Sequence, residues 1–383
     1  MAPLIGEVGI AQLKHHGEEL CGDTVEIVRN PGETVVVLSD GLGSGVKANI
    51  LSSLTAKICS KLMAADIPIE DTVDTLVSTL PTCSERGVAY STFSILRLYD
   101  NGVVYMVDFD GCPMIRITKD KEISAIETNP TEANGKVIHE TNFRLEAGET
   151  IVIVSDGVVQ AGLGEMLPFG LGTDGLIDTL QRFINLDDNV QNIAWNIVNI
   201  CKSYYLGEPG DDTTAVVLRL KEEQSMVIMT GPPVDMNDDA KMVARFEAFE
   251  GTKVICGGTT AQIYARETNK KIVSEFKYVS KKIPPISYID GVDLVTEGII
   301  TLSAVKRMLD NQEPQSGEDG ASLLLNKILE SDRIVFLQGM QLNIAMKDDN
   351  QSLLDIDLRD VIVEKLAAKL RSIGKIVEIV QYD

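Results

Sequence analysis

Two segments of this 383-residue chain share one grammar: Thr34-Val-Val-Val-Leu-Ser-Asp40-Gly41 and Thr150-Ile-Val-Ile-Val-Ser-Asp156-Gly157. In each, an apolar run ends at an Asp-Gly pair, so a carboxylate is held at a rigid strand end while the glycine lets backbone come close. A third pair, Asp211-Asp212, follows Gly210 and precedes another apolar run, and Asp23 lies in Cys21-Gly22-Asp23-Thr24 ahead of a further alternation. A single Asp-Gly is a common turn dipeptide. Three acidic strand ends with matched surroundings say more, because they converge on one rim if two antiparallel sheets stack. Carboxylates a few ångströms apart in a poorly hydrated cleft repel strongly. Divalent cations relieve that repulsion, and an all-oxygen donor set favours Mg²⁺ or Mn²⁺ over Zn²⁺. Two such cations activate a bridging water, orient a phosphoryl group and stabilise charge on the attacking and leaving oxygens. Phosphate ester hydrolysis is the leading chemical class.

Other chemistries have little raw material. His15, His16 and His139 are the only histidines, too few for a Ser-His-Asp triad or a histidine-rich metal site. The six cysteines (Cys21, Cys59, Cys83, Cys112, Cys201, Cys256) form no Cys-x-x-Cys pair, which fits a reduced cytoplasm without a thiolate zinc site. Cys21, beside Asp23, reads as inert packing because acidic neighbours raise a thiol pKa. The net charge is −22, and residues 1–220 hold 15 Lys and Arg against 31 Asp and Glu, a net −16. That balance argues against nucleic acid and anionic membrane surfaces as partners. No apolar run approaches a membrane span, and the first 20 residues lack the pattern of an export signal.

The elements that must position the carboxylates are legible in outline. Strands are expected over 34–38, 91–99, 103–109, 114–118, 150–154 and 213–220, with Asp100-Asn101-Gly102 as a hairpin turn and neighbouring strands antiparallel. Val46, Ile50, Leu54, Ile58 and Leu62 recur every fourth position, predicting an amphipathic helix whose apolar stripe they form. A second helix is expected over 193–204, with Trp195 as a core anchor. The polar stretch 221–225 marks a domain boundary. Beyond it, strands expected over 226–229, 253–256, 293–295, 334–337 and 376–380 alternate with helices over 238–249, 302–309, 322–330 and 358–373, the signature of an α/β domain; 311–320 reads as a polar loop.

Asp40-Gly-Leu-Gly-Ser-Gly-Val-Lys-Ala48, Ser155-Asp156-Gly157 and Gly210-Asp211-Asp212-Thr213-Thr214, with Ala11 through Cys21-Gly22-Asp23 ahead of them and Tyr90-Ser-Thr-Phe-Ser-Ile between, resemble the metal-dependent protein serine/threonine phosphatases of the sporulation stage II protein E branch. The resemblance covers roughly residues 5 to 220. It implies an α+β fold, a protein phosphatase 2C-like sandwich of two stacked antiparallel β-sheets flanked by helices, in a phosphatase domain over 1–221. It implies further that Asp40 bridges two metals, the Gly41 carbonyl binds the second, Asp156 and Asp211 hold the first, Asp23 supports the second through water, and Asp212 orients water or a further cation. On the same resemblance, Asp40, Asp156 and Asp211 are the expected catalytic set. Ser44 stands where many relatives carry histidine, and Asn129-Pro-Thr-Glu-Ala-Asn-Gly135 where many carry a Leu-Pro-hydrophobic-Gly motif. The implied activity is hydrolysis of phosphoserine or phosphothreonine in a bacterial partner protein, typically an anti-sigma-factor antagonist, by a Mn²⁺- or Mg²⁺-activated water in the cytoplasm.

Two other readings stay open: a catalytically silent switch module that keeps the fold, and a small-molecule phosphatase. Residues 226–383 form a smaller α/β domain that resembles no named family. There, Thr230-Gly-Pro-Pro and Gly257-Gly-Thr-Thr each follow an expected strand. They read as plain βα turns, or as backbone lining an anion or nucleotide site; neither is a Walker or Gly-x-Gly-x-x-Gly motif. The domain is expected to regulate the first by sensing a ligand or by forming a homodimer.

Overall fold

A computed structural model describes residues 3–79, 91–133, 136–274, 283–312, 317–341 and 352–382. Cys83, Tyr90, Asn134, Gly135 and residues 313–316 of the expected polar loop lie outside them. The chain divides into two compact units, Met1–Glu222 and Glu223–Asp383.

The first unit has the elements β1 (Leu4–Leu13), β2 (Asp23–Asn30), β3 (Glu33–Gly41), α1 (Gly45–Ala64), α2 (Ile69–Thr79), β4 (Ser91–Tyr99), β5 (Val103–Phe109), β6 (Ile115–Ile117), β7 (Ile123–Ala125), β8 (Asn129–Ala133), β9 (Lys136–Arg144), β10 (Thr150–Val154), α3 (Asp156–Val159), α4 (Gly172–Phe183), α5 (Val190–Tyr204) and β11 (Thr213–Glu222). Two antiparallel sheets result, in the orders β1-β11-β10-β6-β7 and β2-β3-β4-β5-β9-β8. Alternate residues of β3, Val36 and Leu38, meet Val8, Ile10, Ile153, Val216 and Leu218 of the other sheet in the central core. The intervening residues, Val35 and Val37, face α1 and α2. Burial on both faces explains why this strand reads as an unbroken apolar run rather than an alternation. The expected hairpin forms between β4 and β5, with Gly102 at φ 85° supplying the left-handed turn residue. On the outer face of the first sheet α5 lies against β1, with Trp195 fully buried. A Cβ at Gly9 would stand 2.5 Å from the Val190 carbonyl, so only glycine admits this helix so close.

Helix α1 forms where expected but turns a different face inward. Val46, Ile50 and Leu54 are 58%, 53% and 47% exposed, whereas Ala48, Leu51, Ser52, Thr55, Ala56, Cys59 and Met63 are buried. Apart from Leu51 and Met63 the buried face is built of small residues, because the helix backbone must approach the strand end: a Cβ at Gly41 would lie 2.2 Å from the Ala48 carbonyl oxygen. Hydrophobicity alone points to the bulkier stripe, and close packing overrides it.

The second unit comprises β12 (Ser225–Thr230), α6 (Asp239–Glu247), β13 (Thr252–Cys256), α7 (Gly258–Thr268), β14 (Val273–Ser274), β15 (Ser287–Ile289), β16 (Val292–Thr296), α8 (Ile299–Asn311), α9 (Gly320–Glu330), β17 (Arg333–Gly339), α10 (Ser352–Ser372) and β18 (Ile376–Tyr382). Its sheet runs β14-β15-β16-β13-β12-β17-β18. The five strands from β16 to β18 are parallel. In chain order they stand 3-2-1-4-5, a doubly wound α/β arrangement. Among the described residues no helix is long and apolar enough to cross a membrane.

The inverted helix face gives a direct prediction. Leu51→Ala should cost about 2–5 kcal/mol and Ile50→Ala less than about 0.5 kcal/mol in urea denaturation, the reverse of what the every-fourth stripe would give.

Candidate active site

Three elements of the first unit end at one place. Asp40 is the penultimate residue of β3, Asp156 opens α3 just after β10, and Asp211 lies in the turn that enters β11. Asp40, Gly41, Asp156 and Asp211 line a single open cavity of about 400 Å³ together with His15, Ser44, Ser91 and Thr92. Asp40 and Asp156 also face an adjoining cavity with Asp110, Cys112 and Ser155. Asp23 and Asp212 line neither cavity and sit buried behind this wall. Asp23 pairs directly with Asp40 across the β2–β3 ladder. Its Oδ2 accepts a 2.6 Å hydrogen bond from the Thr214 hydroxyl, and its Oδ1 has no partner. Asp212 accepts the backbone N–H of His15 at 3.0 Å, and its Oδ2 is likewise buried without a partner.

The glycines keep these carboxylates close to neighbouring backbone. A Cβ at Gly157 would lie 2.2 Å from the Asp212 carbonyl oxygen, and one at Gly22 2.6 Å from Asp212 Oδ2. Around Asp156, the Gln160 amide donates to Oδ2 at 2.8 Å, and the Tyr205 hydroxyl donates to the Gly157 carbonyl at 2.7 Å.

Charge accumulates accordingly. Burial, reinforced by the carboxylates of Asp23, Asp156 and Asp211, pushes Asp40 from the ordinary 3.8 up to about 9. Burial raises Asp23 to about 7, against the hydrogen bonds from Thr214 and Ser155 that favour its ionised form. Asp211 rises to about 6, through burial and then Asp156. Burial, followed by Asp23 and Asp212, also drives the Cys21 thiol strongly upward, as expected for an unreactive side chain. Among the described residues no three His, Cys, Asp or Glu side chains are already drawn into a coordination sphere. The donors nevertheless suit a hard divalent cation: every candidate ligand is oxygen, and two buried carboxylate oxygens lack any partner.

Histidine is the residue that composition undervalued. His15 lines the cavity with Asp40 and Asp211, its Nδ1 is buried without a partner, and its backbone is fixed on both sides by Asp212 and by the Glu18 N–H. Glu18 also accepts from Ser44, tying the loop that carries His15 to the loop after β3. No spacing in the sequence announces this, since the contacts join residues nearly 200 positions apart. His139 lines a different cavity, with Asp108.

The model of the Stage II sporulation protein E family matches residues 30–221, half of the chain. The chain belongs to this family. The solved structure of the PP2C phosphatase domain and a regulatory fragment of the cell fate determinant SpoIIE from Bacillus subtilis matches with 19% identity and a TM-score of 0.50, over 58% of this chain and 66% of that one. The chain thus spans just under two thirds of that structure, and the likeness establishes the PP2C fold. The RsbU and RsbW domains of a Mycobacterium tuberculosis protein match at 14% identity, TM-score 0.48, over 64% of this chain and 69% of that one. RsbX in complex with magnesium matches at 19% identity, TM-score 0.41, over 58% of this chain and all of that one, 100%. No curated protein sequence gives a significant match. The expected sandwich of stacked antiparallel sheets with helices is the fold observed, and the resemblance drawn from the Asp-Gly motifs is the family found.

The raised carboxylates fix the sign of a pH effect. Their folded-state values exceed those of the unfolded chain, so between about pH 4 and 9 the native protein binds more protons than the unfolded one. Stability must therefore fall as pH rises through this window. Thermal unfolding in EDTA should show a melting temperature that declines from pH 5 to about 9, more steeply than in Asp40→Asn.

Proposed function

We propose that this protein is a divalent-metal-dependent protein serine/threonine phosphatase that hydrolyses phosphoserine or phosphothreonine in a regulatory partner protein. The observation that carries this reading is the meeting of Asp40, Gly41, Asp156 and Asp211 on one open cavity, backed by the unpartnered oxygens of Asp23 and Asp212. Asp40, at the shared wall of both cavities, is assigned to bridge two cations, with the Gly41 carbonyl on the second and Asp156 and Asp211 on the first. Asp23 supports the second through water, and Asp212 orients water or a further cation. Mn²⁺ or Mg²⁺, when bound, would supply a nucleophilic water at neutral pH and neutralise the phosphoryl charge.

The chain's own groups do the rest. The strand ends hold the carboxylates on a rigid rim, so little reorganisation accompanies reaction. Asp40, Asp156 and Asp211 orient the attacking water through their oxygens. Among the described residues that line the cavity, His15 alone has a basic side chain, and this reading assigns its ring to contact a phosphoryl oxygen. Ser91 and Thr92 line the same cavity and offer hydroxyls as further donors. A small anti-sigma-factor antagonist phosphorylated on serine is the kind of partner this reading implies.

Phosphate release from a phosphoserine peptide with Mn²⁺ tests it. Turnover should vanish in EDTA and fall by about three orders of magnitude or more in Asp40→Asn, while Asp156→Asn keeps the fold and loses most activity. Nucleotides should be poor substrates; equal turnover of nucleotides and phosphopeptide would make this a small-molecule phosphatase, and full activity in either Asp variant would contradict the site. His15→Ala should raise KM about tenfold with a smaller change in kcat, as loss of one hydrogen bond to the phosphoryl group requires.

A further inference from the structure

The second unit leaves a long strand edge open. In its seven-stranded sheet β18 is the terminal strand, and among the described residues it pairs only with β17, in parallel and in unbroken register from Ile376 to Tyr382. The opposite edge of the sheet, β14, is two residues long. Proteins blunt long edges with proline, lysine, bulges or brevity, because unpaired N–H and C=O groups otherwise recruit another strand. β18 uses none of these devices. Its sequence, Ile-Val-Glu-Ile-Val-Gln-Tyr, holds one charge, Glu378, which pairs with Arg245 of α6 at 3.1 Å. Ile376, Val377, Ile379, Val380 and Tyr382 are only partly buried, so apolar surface accompanies the open backbone.

Hydrogen bonds at the two ends of β18 fix which way each residue points. The Ile376 N–H donates to the Asp332 carbonyl at 2.8 Å, and the Tyr382 carbonyl accepts from the Met340 N–H at 3.0 Å. The even-numbered residues therefore turn their backbone polar groups toward β17, and Val377, Ile379 and Gln381 turn theirs outward. The Val377 carbonyl accepts from the Arg371 guanidinium at 2.9 Å. The outward groups of Ile379 and Gln381 have no partner among the described residues. The edge strand β1 of the first unit shows the alternative: the Gln191 side chain accepts from the Ile10 N–H at 3.1 Å and donates to the Ile10 carbonyl at 2.5 Å, and Arg29 donates to the Gly6 carbonyl at 2.9 Å.

We propose that β18 pairs antiparallel with β18 of a second copy of this chain, about a two-fold axis at Ile379, joining two seven-stranded sheets into one. The strand is complementary to itself in this register. Val377 faces the partner's Gln381, and Ile379 faces the partner's Ile379, so all three outward residues are opposed and exchange six hydrogen bonds. The Val377 carbonyl joins through its second lone pair. Glu378 faces the partner's Val380, and no like charges stand opposite each other. An axis at Glu378 would set two carboxylates face to face, and an axis at Val380 would leave Val377 outside the paired strand. The net charge of the chain is −22, yet this strand offers a copy one carboxylate already paired with Arg245. An isologous contact of this kind closes at two copies and consumes both open edges.

The test begins with sedimentation of the full chain at micromolar concentration, which should give twice the chain mass. Ile379→Pro removes an outward N–H and no bond to β17, a change that edge strands accommodate. It should keep a cooperative melt and raise the dimer dissociation constant at least about tenfold. Ile379→Cys sets two thiols on directly opposed residues whose Cα atoms lie about 5.5 Å apart, within disulfide range. Mild oxidation should convert this variant to a covalent dimer on non-reducing electrophoresis. Ile376→Cys, about 20 Å from its own equivalent in this register, should cross-link no more than the unaltered chain. The two cysteine variants decide the matter even if Ile379→Pro fails to fold. A monomeric chain, a dimer undiminished in a folded Ile379→Pro, or equal cross-linking at positions 379 and 376 would overturn the proposal; the first result would leave the edge to a strand of another protein.

Discussion

Asp23 and Asp40 face each other across adjacent antiparallel strands, where like charges destabilise a ladder. Asp156 and Asp211 crowd the same rim, and burial together with these neighbouring carboxylates pushes Asp40 up to about 9. Everything else in the first unit is arranged to tolerate this repulsion. The sandwich core of β-branched and leucine side chains fixes the strand ends, and the glycines at 22, 41 and 157 remove the Cβ atoms that would force backbone and carboxylates apart. A fold that retains such a rim at a cost in stability has a use for concentrated negative oxygen, and a divalent cation is the simplest partner that repays it.

Much of this was legible because it follows from local chemistry. The Asp-Gly strand ends, the Asn101-Gly102 hairpin and the alternation of strand and helix after residue 225 each reflect a constraint that acts over a few residues. What sequence reading missed depends on distant packing. The inward face of α1 is set by its approach to Gly41, not by the hydrophobicity of Val46, Ile50 and Leu54. β1 and β9 carry too many glycine, polar or charged residues for their pattern to stand out; β1 is fixed by its full-length pairing with β11 and β9 by pairing with β5. Helix α7 hides behind Gly257-Gly258, residues that punctuate loops as often as they open helices. His15 reaches the carboxylate rim only because Asp212, far away in the chain, anchors its backbone.

The two units share a physical signature despite unrelated folds. Buried polar atoms without partners occur in both: Asp23 Oδ1, Asp212 Oδ2 and His15 Nδ1 at the carboxylate rim, Arg116 Nε and Asn192 Oδ1 elsewhere in the first unit, and Gln338 Oε1 and Thr301 Oγ1 in the second. The chemistry differs with the atoms. Negative oxygens call for cations. The family match falls within the first unit.

The claim that rim repulsion is held for the sake of a cation is tested most directly by the melting temperature of Asp40→Asn against the unaltered chain, near pH 9 where the last of these carboxylates ionises. The account predicts a crossing: the variant melts higher than the unaltered chain in EDTA, because a repelling charge is gone, and lower in Mn²⁺, because the proposed bridging ligand is gone. A variant that melts lower in both conditions, or an unaltered chain that Mn²⁺ does not stabilise, would contradict it.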